Sequence, residues 1–190
     1  MGKKIISVRT VVAIGIGAAL MFVLMRFVTV PSGVPNTNLN LGVAILAIFA
    51  ATFGPIAGLL VGFIGHTLTD LTTYLTGGDD KIWWSWVIAS ALFGCIVGLF
   101  WRFYKIEEGG FGVKQCLIFN GVQIGANILA YSFIAPNLDL LFYSSEAFEK
   151  VTLQGLTAAG VNSAVVLILG SVWAFCYSKT RANKAGSQAE

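Results

Sequence analysis

From Leu41 to Gly65 the sequence carries no charged side chain. Such a run has no face to offer water, so its surroundings are lipid or the inside of a protein. Composition decides between the two. Only 11% of the 190 residues are charged and 56% are hydrophobic, whereas a water-facing domain carries about 25% charge. Too few charges remain to coat a soluble surface, and the chain is expected to be an integral membrane protein.

A spanning helix takes roughly 20 apolar residues. Apolar segments cover approximately 8–30, 39–53, 56–75, 84–104, 113–135 and 151–177. The pattern predicts an all-α polytopic membrane protein with six transmembrane helices, forming a single transmembrane substrate-binding domain over 1–190. No length is left for a soluble catalytic or nucleotide-binding domain, so ATP-driven work would need an ATPase from a partner. The apolar stretch 11–25 is long for a signal-peptide core and lacks a cleavage site followed by polar chain, which makes it a retained first helix.

The second and third segments form one continuous apolar run, which as a single kinked span would leave five helices. The pair Gly54-Pro55 argues for a turn, since glycine ends one helix and proline starts the next. Charge supports the same count. With six helices, Lys3, Lys4, Arg9, Arg102, Lys105, Lys114, Lys179, Arg181 and Lys184 share one side, Lys81 and Lys150 take the other, and Arg26 lies inside the first span. Basic residues concentrate on the cytoplasmic side, so both termini are expected inside. The net charge of +3 then records orientation rather than a nucleic-acid partner, and the three cysteines read as small apolar residues.

The outer loops would be 31–40, 76–83 and 136–150. They carry Asp79, Asp80, Asp139, Glu146 and Glu149, with Trp83, Trp84, Trp86, Phe142 and Tyr143 at interface level. The tryptophans serve either as interface anchors or as stacking faces for a ligand. Loop 31–40 holds two prolines, a glycine and the asparagines Asn36 and Asn38; it is either a lid over the mouth of the bundle or a plain connector.

Small residues recur every fourth position at Ala13/Gly17, Gly15/Ala19, Gly58/Gly62, Ser90/Gly94/Gly98 and Gly155/Ala159/Ser163. Such rows let helix backbones approach closely in lipid. Those on the first helix suit either internal packing or a partner's helices.

Polar residues inside spans are costly and usually face the bundle interior. Asn120, Gln123, Asn127 and Tyr131 share a face of the fifth helix; Gln154, Thr157 and Asn162 share one on the sixth; His66, Asp70 and Thr73 line up on the third. All but Asn120 lie from mid-membrane to the outer end, where they would converge on a pocket open to the outside. Amides, one imidazole and tryptophans suit a planar, hydrogen-bonding heteroaromatic ligand. The bland readings are interhelical glue for the amides and a structural pair for His66 with Asp70. With a single histidine and no metal, triad or nucleotide motif, neither catalysis nor a metal or other cofactor is expected.

The stretches 11–19 (VVAIGIGAA), 30–38 (VPSGVPNTN), 53–58 (FGPIAG), 62–70 (GFIGHTLTD) and 83–88 (WWSWVI) together resemble the S components of energy-coupling factor (ECF) vitamin transporters, in the riboflavin-type or hydroxymethylpyrimidine-type branch. The resemblance implies a six-helix subunit of a bacterial plasma-membrane importer of the ABC class. Such a subunit captures a water-soluble vitamin or precursor (hydroxymethylpyrimidine, pyridoxine or riboflavin) from outside. It then topples on a transmembrane scaffold, the T component, driven by two cytoplasmic ATPases. It further implies a scaffold contact through a small-residue row on the first helix, at Ala13 and Gly17 or, in the alternative register, Gly15 and Ala19. The family's row is alanine at both positions, from which Gly17 departs.

The substrate-binding candidates are therefore Asn36, Asn38, His66, Asp70, Trp83, Trp84, Gln123, Asn127, Tyr131, Gln154 and Asn162. Two other functions remain open: a small autonomous carrier relaying protons through His66 and Asp70, and a membrane scaffold protein whose polar stripes only hold helices together.

Overall fold

A computed structural model describes residues 7–34, 37–144 and 146–186. Helix α1 (Val8–Phe27) opens on Ser7, whose hydroxyl accepts the backbone N–H of Thr10 at 3.1 Å and so satisfies one of the free donors of the first turn. Ala13, Ile14, Gly17, Ala18 and Met21 turn inward, while Val11, Val12, Ile16, Leu20 and Val23 are exposed. An apolar outer face of this kind is what lipid, not water, accommodates.

The first helix stops three residues short of the expected 30. In its place β1 (Thr29–Pro31) pairs antiparallel with β2 (Asn38–Asn40), Val30 opposite Leu39. The Ser32 hydroxyl donates to the Thr37 carbonyl at 2.5 Å and accepts the Val34 N–H at 3.2 Å, which fixes the turn from within. The segment expected as a loop over 31–40 is thus a short hairpin, and the second helix starts at Gly42 rather than 39.

Helix α2 (Gly42–Phe53) has 12 residues, a length of about 18 Å at 1.5 Å per residue, well short of a bilayer core of about 30 Å. It is covered instead. Val43, Ala44, Leu46, Ala47 and Ala50 have no exposure, and α1, α3 (Pro55–Leu75) and α4 (Trp84–Leu99) pack around it. Between α2 and α3, Gly54 adopts φ +90° and Pro55 is the first helical residue, so the apolar run folds as two helices.

Helices α3 and α4 meet backbone to backbone. A Cβ on Gly58 would strike the carbonyl oxygen of Gly94, and one on Gly94 that of Gly58; a Cβ on Gly62 would sit 2.5 Å from the Ser90 carbonyl. The four-residue rows are the contact itself. A short α5 (Trp101–Tyr104) follows, ended by Lys105 at φ 52°.

The remaining chain makes two long helices. The first joins α6 (Val113–Asn127), a π-helical segment (Ile128–Ile134) and α7 (Ala135–Phe142). Pro136 was expected to open an outer loop, yet the helix passes through it. Proline removes a donor and crowds the preceding turn; the π segment absorbs this, with Ala135 N–H bonding the Ala130 carbonyl five residues back. The second joins α8 (Phe148–Val165), a π segment (Val166–Gly170) and α9 (Ser171–Gly186), and outruns the expected 151–177.

Val8–Phe27, Pro55–Leu75, Val113–Phe142 and Phe148–Asn183 are long and apolar enough to cross a membrane, with Gly42–Phe53 and Trp84–Leu99 as shorter apolar helices. The fold is all-α apart from the hairpin, and its character is that of a membrane protein. At one end Glu107 ties the passes together, accepting from Arg9 at 2.8 Å, Arg181 at 3.0 Å and the Tyr177 hydroxyl at 2.9 Å. At the other end lie the hairpin, residues 76–83 and residues 143, 144, 146 and 147.

Candidate functional site

At the hairpin end the helices part around a cavity of about 520 Å³. Its wall on α3 carries His66, Thr69, Asp70 and Thr73, which the helical period places on neighbouring turns of one face. The glycine row fixes where that face points. Gly62 holds α3 against Ser90, and one turn further on His66 Nδ1 lies 2.6 Å from Ser90 Oγ. Ser90 Oγ is in turn 2.8 Å from the Tyr131 hydroxyl. On the other side of the imidazole, His66 Nε2 stands 3.5 Å from Asp70 Oδ1, and Asp70 Oδ2 accepts the Trp83 N–H at 3.0 Å. One polar chain thus crosses α3, α4 and the π segment.

That π segment has a second effect. In a continuous α-helix the eight residues from Tyr131 to Asp139 would leave the two side chains about 80° apart around the axis. A π turn takes one more residue than an α turn, which rotates α7 back by about that amount. Both residues are 3% exposed and both line the cavity. Asp139 Oδ2 accepts from Ser85 Oγ at 2.9 Å and from the Trp86 indole N–H at 3.0 Å.

The rim is aromatic and braced. Tyr143 accepts the Trp84 N–H at 2.8 Å and donates to the Ile82 carbonyl at 2.9 Å. Burial, the largest influence, raises the pKa of its phenol, which keeps it protonated as that donor. Lys81 Nζ sits 4.9 Å from the Trp83 ring centroid and 5.4 Å from that of Tyr143, within cation–π range. Across the opening, Thr37, Asn38, Leu39 and Asn40 of the hairpin line the cavity, together with Arg26.

Of the residues singled out from sequence, Asn38, His66, Asp70, Trp83, Tyr131, Gln154 and Asn162 line this cavity. Asn36 lies outside the described residues. Trp84, Gln123 and Asn127 are elsewhere. Trp84 is 40% exposed and stacks on Phe63 with centroids 6.2 Å apart on the outer surface. Gln123 Nε2 donates to Asn120 Oδ1 at 3.3 Å and to the Ser163 carbonyl at 3.2 Å, Asn120 reaches Ser171 Oγ at 2.8 Å, and Asn127 Nδ2 donates to Gln123 Oε1 at 2.9 Å. These amides join α6 to the last long helix, away from the cavity lining.

Sequence reasoning left Arg26, Asn40, Asp139 and Glu146 out of the site and read Trp86 as either an interface anchor or a stacking face; all five are in the lining. Asp139 falls in the segment 136–150 expected as an outer loop, whereas the helix continues through Pro136 to Phe142. On α1 the two candidate partner rows separate. Ala13 and Gly17 are buried, and a Cβ on Gly17 would meet Phe49 at 2.8 Å and Val61 at 2.9 Å; Gly15 and Ala19 are exposed, with nothing near Gly15. The row Ala13/Gly17 packs inside the bundle.

Residues 5–179 match the family described as ECF-type riboflavin transporter, S component. The chain is 44% identical over 185 residues to a UPF0397 protein of Lacticaseibacillus casei, covering 97% of this chain and 96% of that one. It is 46% identical over 182 residues to a UPF0397 protein of Lactobacillus johnsonii, with 96% and 95% covered. A UPF0397 protein of Clostridium perfringens is 44% identical over 190 residues, the full length of both. No solved structure matches the chain.

Proposed function

The chain belongs to the ECF-type riboflavin transporter S component family, a family of transport subunits rather than enzymes, and from that premise we propose that it is the substrate-capture subunit of an ECF-type importer in the bacterial plasma membrane. Its six helical passes span the bilayer with both termini inside, as a single domain over 1–190. The hairpin end then faces outward and the Arg9–Glu107–Arg181 cluster faces the cytoplasm, in keeping with the basic residues there.

The cavity carries this reading. Its volume of about 520 Å³ falls in the ordinary range for small-molecule sites, roughly 300–1,000 Å³, and polar groups from the hairpin and five helical passes converge on it. Below it, Leu46, Phe93, Val97, Tyr104 and Phe119 are fully buried and fill the bundle, a plan that suits capture better than conduction. The ligand is a water-soluble vitamin or precursor such as hydroxymethylpyrimidine, pyridoxine or riboflavin. The hairpin acts as lid. Delivery requires toppling on a transmembrane scaffold, the T component, driven by two ATPases, and the exposed row Gly15/Ala19 is the face offered to that scaffold. A surface of valines, leucines and phenylalanines lets the bundle tilt in lipid without dragging charges across it.

The deciding experiment is vesicle reconstitution. The chain alone should bind one small molecule and import none, and import should appear when scaffold and ATPases are added. The alternative, an autonomous proton-coupled carrier, draws on the continuous chain Asp70–His66–Ser90–Tyr131. Uptake by the chain alone under a proton gradient, abolished in His66→Ala, would establish it and refute the capture reading.

A further inference from the structure

Four carboxylates line the cavity, those of Asp70, Asp79, Asp139 and Glu146, against one guanidinium, Arg26. Three of the acids are answered by their surroundings. Asp70 has His66 and the Trp83 N–H, Glu146 pairs with Lys150 at 2.5 Å, and Asp79 is exposed to solvent. Asp139 is different. It is 3% exposed, its two hydrogen bonds come from the neutral donors Ser85 and Trp86, and no lysine, arginine or histidine among the described residues pairs with it. Arg26 is held at the rim by Thr76 Oγ1 at 3.2 Å. Hydrogen bonds from neutral donors offset part of the cost of burying a carboxylate, and no counter-charge supplies the rest.

A second, independent feature of the same cavity points to a ligand. Asn162 is 3% exposed, lines the space, and its side-chain carboxamide makes no hydrogen bond to any described residue. Buried carboxamides are ordinarily partnered, and this one offers two donors and an acceptor. Trp86 completes the set. Its N–H is pinned on Asp139, so its indole is held in the cavity wall beside the carboxylate, where a flat ring stacks and a positive charge is favoured over the π face.

We propose that the cavity selects a planar heteroaromatic molecule bearing a positive charge, with Asp139 as its charge partner, Asn162 reading a donor–acceptor edge of the ring and Trp86 providing the stacking wall. The proposal rests on the cavity being the substrate site of a capture subunit. It narrows the ligand class to protonated or quaternary nitrogen heterocycles, because an anion would meet an excess of carboxylates and an uncharged ring would leave Asp139 unpaired.

The test is calorimetric titration of the full chain in lipid nanodiscs with six probes: thiamine and pyridoxamine as cations, riboflavin and pyridoxine as uncharged rings, pantothenate and biotin as anions. A cationic probe should bind most tightly, and Asp139→Asn should weaken it at least hundredfold. Asn162→Ala should weaken it about tenfold. Tightest binding by an uncharged or anionic probe overturns the charge assignment and leaves the capture reading standing. Binding by none overturns both. Unchanged affinity for the cation in a folded Asp139→Asn chain removes Asp139 from the role. The preference order of the unaltered chain supplies a readout that does not depend on any variant folding.

Discussion

His66 Nδ1 and Ser90 Oγ stand 2.6 Å apart, one helical turn beyond the point where Gly62 brings α3 against the Ser90 backbone. A packing contact and a site contact are therefore the same ladder at successive rungs, and the imidazole cannot leave the cavity wall without giving up its hydrogen bond to Ser90. Ser90→Ala should accordingly weaken ligand binding about tenfold, by loss of one buried hydrogen bond worth roughly 1 kcal/mol and of the order it imposes on His66 and Tyr131. Calorimetry with the tightest-binding of the six probes would measure it, and an affinity within twofold of the parent would detach His66 from the site.

The same ladder predicts a contrast between glycines. Gly62→Leu should cost about 3 kcal/mol or prevent folding, since overpacking a close contact usually costs 1–3 kcal/mol and here the obstacle is backbone. Gly121 has nothing within 4 Å of its would-be Cβ, so Gly121→Ala should leave stability unchanged or raise it by up to about 1 kcal/mol through helix propensity. Thermal unfolding in detergent separates the two, and equal effects would contradict the α3–α4 packing.

On α1 the buried and exposed rows should behave differently. Gly15→Leu should leave ligand affinity and thermal stability unaltered while reducing co-purification with the scaffold at least tenfold. Gly17→Leu should instead lower stability by about 2–3 kcal/mol, because the added side chain collides with Phe49 and Val61. Normal scaffold recovery with Gly15→Leu would place the partner surface elsewhere.

The amides of α6 should affect folding, not recognition. Gln123→Leu leaves Asn120, Asn127 and the Ser163 carbonyl short of partners inside the bundle, at about 1–3 kcal/mol, with ligand affinity changed by less than threefold. Trp84→Ala should likewise spare affinity, since its ring lies on Phe63 outside the cavity, whereas Trp86→Ala should weaken binding tenfold or more. Loss of affinity in Trp84→Ala with Trp86→Ala unaffected would reverse the assignment.

Much of this was legible in the residues. Long apolar segments, a Gly-Pro punctuation mark and four-residue glycine rows each express a single local rule, and the helices, the turn at Gly54 and the α3–α4 contact follow from them. His66 and Asp70 were readable as wall partners because α3 keeps its 3.6-residue period throughout. Asp139 was not, because its orientation depends on a change of period at 128–134 that no local pattern announces, and the segment from Pro136 onward reads as a loop. Gln123 and Asn127 were misplaced for another reason: a helix face is specified by spacing, but what it meets is decided by the neighbouring helix. The hairpin escaped notice because three-residue strands made of Thr-Val-Pro and Asn-Leu-Asn carry almost no alternation to read.

The π turn before Pro136 divides one long helix into two parts that can vary separately. Residues before it belong to the interior seam with the last helix; residues after it present side chains to whatever occupies the chamber. Gaining or losing a single residue at that joint would swing the whole outer stretch by about 100° while leaving the seam in register. A relative could thereby exchange its acid for a different side chain on the chamber wall without redesigning the rest of the bundle.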